Sequence, residues 1–160
     1  MLFRSEPGAT VQFRDTFPTH TDSKIRLWRS DHRLSGPRYL PLEDDAHPLT
    51  LITPATTFTI NSMFADTAPP PVVVKLSPED ARRRNVVDGQ VVEVYNDRAS
   101  LRIRVDVDAT MRDGVCSIPK GLWRRSLEGG LTANAFAPDS FTDLSDGACF
   151  NDARVEIRAL

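Results

Sequence analysis

Leu101–Val107 reads LRIRVDV, an unbroken alternation of apolar and charged residues. Successive side chains of a strand point to opposite faces. Leu101, Ile103, Val105 and Val107 therefore line one face, and Arg102, Arg104 and Asp106 line the other. The apolar face needs a cover, and other stretches of the same kind are at hand. LTLIT (Leu49–Thr53), VVVKL (Val72–Leu76), Gln90–Asn96, Val115–Pro119 and ARVEI (Ala153–Ile157) each read as a short strand rich in aliphatic residues. About six such strands in so short a stretch must close on themselves or pack as a sandwich, because open edges invite aggregation. The expected architecture is mainly β with short helices: a small barrel with one or two helices at its ends.

One helix is marked clearly. In SPEDARRRNVVDGQVVEV (Ser77–Val94), Ser77 is a good N-cap and Pro78 suits the first helical position, where its missing amide would be unpaired anyway. Glu79 and Asp80 lie well against the positive end of the helix dipole. The helix is predicted from Pro78 to about Asn85. Asp88-Gly89 then turns the chain into the next strand. Between the strands lie two longer segments. Pro54–Thr67 is a polar loop rich in Thr, Ser and Asn, ending in a helical turn. Lys120–Asn151 is irregular and carries Gly129-Gly130, ANAF (Ala133–Phe136) and SDG (Ser145–Gly147).

Residues 1–48 differ in character. They scatter Pro, Asp, His, Arg and Ser with little periodicity, and only KIRLW (Lys24–Trp28) alternates like a strand. Gly36–Pro48 holds prolines and an acidic cluster, as an extended linker does. We divide the 160 residues into an irregular N-terminal extension or linker (1–48) and a barrel domain (49–160). A net charge of −2 argues against a nucleic-acid or membrane-surface partner. No apolar run approaches the ~20 residues of a membrane span, and the N-terminus has no apolar signal core. Cys116 and Cys149 form no CxxC pair and sit near no histidine, so they are expected as free, buried thiols in a reducing, cytoplasmic compartment. His20, His32 and His47 are expected on the solvated surface.

Five segments, in order, resemble one known family. LSPEDARRRNVVDGQVVEVYNDRASLRIRVDV looks like the core of the C-terminal molybdopterin-dinucleotide-binding domain of the dimethyl sulfoxide reductase family. HPLTLITPATTFTINSMF (His47–Phe64) is similar to that family's first strand and cofactor loop. RDGVCSIPKGLW (Arg112–Trp123) and ANAFAPDSFTDLSDGACFNDARVEI (Ala133–Ile157) resemble its later motifs, and FPTHTDSKIRLWRS (Phe17–Ser30) resembles the segment preceding the domain. Asn85 and Ala99 stand where the family usually has Gly, and Phe150 where it has Tyr. Asn tolerates a left-handed helix end second best after Gly.

The resemblance implies a six-stranded double-psi β-barrel, of the aspartate-decarboxylase-like type. It also implies a cofactor: molybdopterin guanine dinucleotide with Mo or W, bound only with the remaining domains or subunits of a molybdopterin oxidoreductase. By resemblance, Thr53, Ala55, Thr56 and Thr57 face the cofactor, with Asn61 and Ser62 in support. Asn134 would meet the pterin, since an amide offers donor and acceptor together. Phe150 and Asn151 match the last cofactor-facing stretch. Lys120 could pair with a phosphate. Trp123 either packs beside the cofactor or plugs the barrel. Arg124 and Arg125 read as a solvated face. No residue takes a catalytic or metal-ligating role, so the chain alone is not expected to turn over substrate. The competing reading is a double-psi barrel that binds a partner or substrate without a redox cofactor, because fold alone does not fix function. A self-processing decarboxylase on this barrel would need a Gly-Ser pair, and the sequence has none.

Overall fold

The computed structural model describes residues 46–64, 71–142 and 147–160. Most of the 1–48 segment, including the Lys24–Trp28 strand, His20 and His32, lies outside these residues. Six strands form a closed barrel: β1 (Leu49–Ile52), β2 (Val73–Leu76), β3 (Val91–Tyr95), β4 (Ser100–Val107), β5 (Val115–Ser117) and β6 (Arg154–Ala159). Their order around the barrel is β1-β5-β2-β4-β3-β6, closed by pairing of β6 with β1. Closure leaves none of these six strands with a free edge, as the crowding of short strands requires. Two pairs, β1–β5 and β2–β4, are parallel, and the other four are antiparallel.

The period-two reading of β4 holds. Leu101, Ile103 and Val105 are buried, Arg102 and Arg104 are exposed, and Val107 is half-buried where the strand leaves the barrel. The same alternation puts Leu49, Leu51, Val74, Leu76, Val92, Val94, Val155 and Ile157 inside. Each of these stabilises the fold by about 1.5–3 kcal/mol relative to an exposed position.

The helix α1 runs Pro78–Arg83, shorter than the sequence predicts. Arg84 caps it, and Asn85 follows at φ +54°. That is the left-handed position where Asn is the next best residue to Gly. The Ser77 hydroxyl accepts from the Asp80 amide at 3.1 Å, as an N-cap should.

Two residues depart from expectation. His47 is only 6% exposed, not solvated. Its ring meets Tyr95 edge-on, and Nε2 lies 3.8 Å from an Asp97 carboxylate oxygen. Its place one residue before Pro48 and β1 draws it against the end of β3. Cys116 is fully buried in the core, but Cys149 is only half-buried, because it belongs to the irregular approach to β6; both are free thiols. Burial pushes the Cys116 thiol up to about 12, which leaves it protonated and unreactive.

The pairings fix two ends. β1, β3 and β5 run one way, and β2, β4 and β6 the other. The connections β1–β2, β3–β4 and β5–β6 therefore gather at one end, the loop end. Those carrying α1 and the β4–β5 turn gather at the other, the helix end.

Candidate functional site

Every residue that the family resemblance singles out lies on the loop end. Thr53, Ala55, Thr56, Thr57, Asn61 and Ser62 follow β1. Lys120, Trp123 and Asn134 follow β5, and Phe150 and Asn151 form the turn before β6. Strand direction alone brings these distant segments together.

The β1–β2 loop is built on Thr59, the one fully buried side chain among its described residues. Its Oγ1 accepts from the Thr56 amide at 2.9 Å and shares a hydrogen bond with the Thr56 hydroxyl at 2.9 Å. Thr53 is half-buried, and Ala55 and Thr57 are exposed. Asn61 sits in a single 3₁₀ turn, Ile60–Ser62, and Ser62 follows at φ +61°. A non-glycine residue held in that left-handed region costs about 1–2 kcal/mol, so its surroundings must hold it there.

The stretch after β5 supplies those surroundings. The Trp123 indole N–H donates to the Ser62 carbonyl at 3.1 Å, and the half-buried indole carries the Arg125 guanidinium 4.1 Å above its ring. Trp123 is thus a side wall of the loop. Arg124 and Arg125 are exposed, as expected, although the Arg124 Nε also donates to the Gly130 carbonyl at 2.7 Å. Lys120 is exposed and has no ion-pair partner among the described residues.

Asn134 sits in the 3₁₀ turn Ala133–Phe136, whose Ala133 and Phe136 are buried while its own side chain is exposed. Asn96, at the end of β3, pins this turn. Its Nδ2 donates to the Phe136 carbonyl (3.1 Å) and to the Arg154 carbonyl (3.0 Å), and its Oδ1 accepts from the Arg98 and Ala99 amides. That paired Asx turn lets Ala99 stand where the family usually has Gly. Phe150 and Asn151 are exposed.

The donor set fits a polar, phosphate-bearing cofactor. The Thr53 and Thr57 hydroxyls and the Asn134 and Asn151 amides make no hydrogen bond among the described residues. They are uncharged, they offer both donors and acceptors, and Lys120 adds one uncommitted cation. Among the described residues no group of three or more His, Cys, Asp or Glu side chains is placed to hold a metal ion. Two clefts, of about 440 and 580 Å³, lie at the helix end, around Asp80–Arg84 and around Val86–Asp88. Neither touches these residues. No helix among the described residues is long and apolar enough to cross a membrane.

Thr59, Asn96 and Gly121 organise this end, and none stands out in the sequence as a functional residue. Thr59 is hidden among similar threonines, and its burial is a tertiary property. The only sequence signal for Gly121 is its place between Lys120 and Trp123.

Comparison with known proteins agrees with this fold. The sequence profile described as the molydopterin dinucleotide binding domain matches residues 49–154. A probable oxidoreductase, YoaE of Bacillus subtilis, is 28% identical over 155 residues, covering 91% of this chain and 22% of its own length. A putative dimethyl sulfoxide reductase catalytic subunit from Halobacterium salinarum is 26% identical over 121 residues, covering 71% of this chain and 14% of its own length. The chain thus spans less than a quarter of either relative. Among solved structures, acetylene hydratase from Pelobacter acetylenicus superposes with a TM-score of 0.60 at 16% identity, over 71% of this chain and 18% of that one, which shows the shared fold. The chain belongs to the molybdopterin dinucleotide-binding domains of the dimethyl sulfoxide reductase family.

Proposed function

We propose that the loop end holds part of a molybdopterin guanine dinucleotide carrying Mo or W, within a larger molybdopterin-dependent oxidoreductase. The observation that carries this reading is the set of uncommitted, uncharged donors that two separate loops bring to one barrel end, with Lys120 beside them. Buried polar edges of a ligand need such partners, since each one left unpaired costs about 1–3 kcal/mol. Thr53, Thr56 and Thr57 line one side, with Asn61 and Ser62 shaping the loop. Asn134, Phe150 and Asn151 line the other, and Lys120 faces the pyrophosphate. When bound, the group supplies two-electron redox chemistry at its metal; the protein's part is binding and orientation.

The remaining domains or subunits of the enzyme complete the pocket and bring the metal ligand. Exposed Phe58, Ile60, Met63, Phe64, Phe141 and Phe150 at the same end support this. A soluble monomer rarely leaves so much apolar surface uncovered. The relatives' greater length supports it too.

Guanosine diphosphate carries the guanine and the pyrophosphate, so it is the probe. Titrating it into the 160-residue chain should shift amide resonances of residues 53–62, 134 and 150–151, with weak, saturable binding. Lys120→Met should weaken binding and flatten its salt dependence, as loss of one phosphate contact does. Saturable shifts confined to the helix end, or none at all, would overturn the assignment.

A further inference from the structure

Four consecutive residues after β5 touch the β1–β2 loop at three separate points. At its start, the Lys120 amide donates to the Pro54 carbonyl at 3.0 Å. At its end, the Trp123 indole N–H donates to the Ser62 carbonyl at 3.1 Å, beside the left-handed Ser62 backbone. In the middle, Gly121 packs on Thr59. Gly121 has φ +78°, and a Cβ added to it would lie 2.3 Å from the Thr59 carbonyl oxygen. That oxygen also accepts the Ser62 amide at 3.3 Å. Thr59 in turn holds Thr56 through its buried hydroxyl. Start, middle and end of the Thr53–Ser62 segment are each contacted from the same short strip.

We propose that Lys120–Trp123 is a latch that sets the Thr53–Ser62 loop in its ligand-ready conformation before any ligand arrives. Gly121 and Thr59 are its positioning residues. The ligand side of this inference rests on the cofactor reading above. Without the latch, binding would have to order the loop itself, which weakens affinity. With it, the Thr53 and Thr57 hydroxyls are already presented. Gly121 is required for a steric reason separate from its dihedral angle. Gly129 has nearly the same φ, +77°, yet an added Cβ there meets nothing within 4 Å.

That pair of glycines makes the test. Hydrogen exchange at the Thr56, Thr59 and Ser62 amides and the Trp123 indole is measured by NMR on the full 160-residue chain, in wild type, Gly121→Ala, Gly129→Ala and Thr59→Val. Thr59→Val keeps the side-chain shape and removes only the hydroxyl, so it guards against simple misfolding of the glycine variant. The latch predicts slow exchange in wild type and in Gly129→Ala. In Gly121→Ala, exchange at these sites should be faster by about tenfold or more, and in Thr59→Val the Thr56 amide should follow. Guanosine diphosphate affinity should fall by about tenfold in Gly121→Ala and stay unchanged in Gly129→Ala. Fast exchange already in wild type, or equal behaviour of the two glycine variants, overturns the latch. Intact protection with no nucleotide-induced shift in wild type overturns the positioning role and, separately, the cofactor reading.

Discussion

The two ends of the barrel are held by different physics. The helix end is tied by charge. Asp80 is 2% exposed and accepts from the Ser77 hydroxyl (3.1 Å), the Gly114 amide (2.7 Å) and Arg84 Nη1 (3.1 Å). Arg84 then grips Glu156 on β6 through two hydrogen bonds, at 2.5 and 3.2 Å. One buried carboxylate thus joins α1, the β4–β5 turn and β6. The loop end has no such knot among its described residues. Its ion pairs Arg98–Asp139 and Arg102–Glu128 are exposed, and its less exposed ties are neutral: Thr59 against Gly121, Trp123 on Ser62, and Asn96 on Phe136 and Arg154. This division suits a cofactor domain. On the proposed function, buried charge stabilises the scaffold at the end away from the cofactor, and the loop end keeps its donors free to bind it.

If that division is real, the largest loss of stability follows removal of Asp80. Asp80→Ala strips the Gly114 amide of its partner and leaves Arg84 with Glu156 as its one carboxylate partner. Breaking a buried charged pair from one side costs about 3–5 kcal/mol. Urea unfolding should therefore show a lower midpoint at unchanged slope, the two together giving a free-energy loss of that size. Where folded, the variant should bind guanosine diphosphate as wild type does. A loss of nucleotide binding at constant stability would mean that the two ends are coupled, and the comparison would fail.

Asn96→Ala is the matching probe of the loop end. Its amide makes four hydrogen bonds to backbone groups. Removing it should lower stability by about 1–3 kcal/mol, the scale for buried groups left unpaired. It should also speed amide exchange in the Ala133–Phe136 turn and weaken nucleotide binding. A variant that loses stability but keeps both the turn and the affinity would show that Asn96 serves the barrel alone.

The same division explains what could be read in advance. Strand positions came from alternation, and α1 from Ser77, Pro78 and the acidic first turn, because these signals are local. The left-handed position of Asn85 was legible from the family pattern, which usually has Gly there. For the loop end the family motifs point to Thr53–Ser62, Lys120, Trp123 and Asn134, but the local sequence carries none of its mechanics. Thr59 is buried where Gly121, more than sixty residues away, packs on it. His47 is buried beside the end of β3, where its ring meets Tyr95. Contacts between segments joined by barrel closure leave no trace in local periodicity.

The smallest effect tests whether charge at the helix end matters only when buried. Lys75 on β2 donates to the Asp108 carboxylate at 2.8 Å, and the Thr110 hydroxyl and amide donate to its other oxygen at 2.6 and 2.9 Å. The Lys75 hydrogen bond, then those from Thr110, hold the Asp108 carboxyl well below the usual carboxylate range. A folded-state value below the unfolded one, about 3.9, adds stability that is present at neutral pH. That contribution fades as pH falls from the unfolded value through the folded one. Asp108→Asn should therefore unfold slightly below wild type near neutral pH, with the gap closing in acid below about pH 4. Solvent screens this pair, so its contribution should be far smaller than that of Asp80. A thermal midpoint loss near neutral pH as large as that of Asp80→Ala would show that burial is not what separates the two carboxylates. A gap that widens in acid would show that Asp108 is held in its protonated form instead.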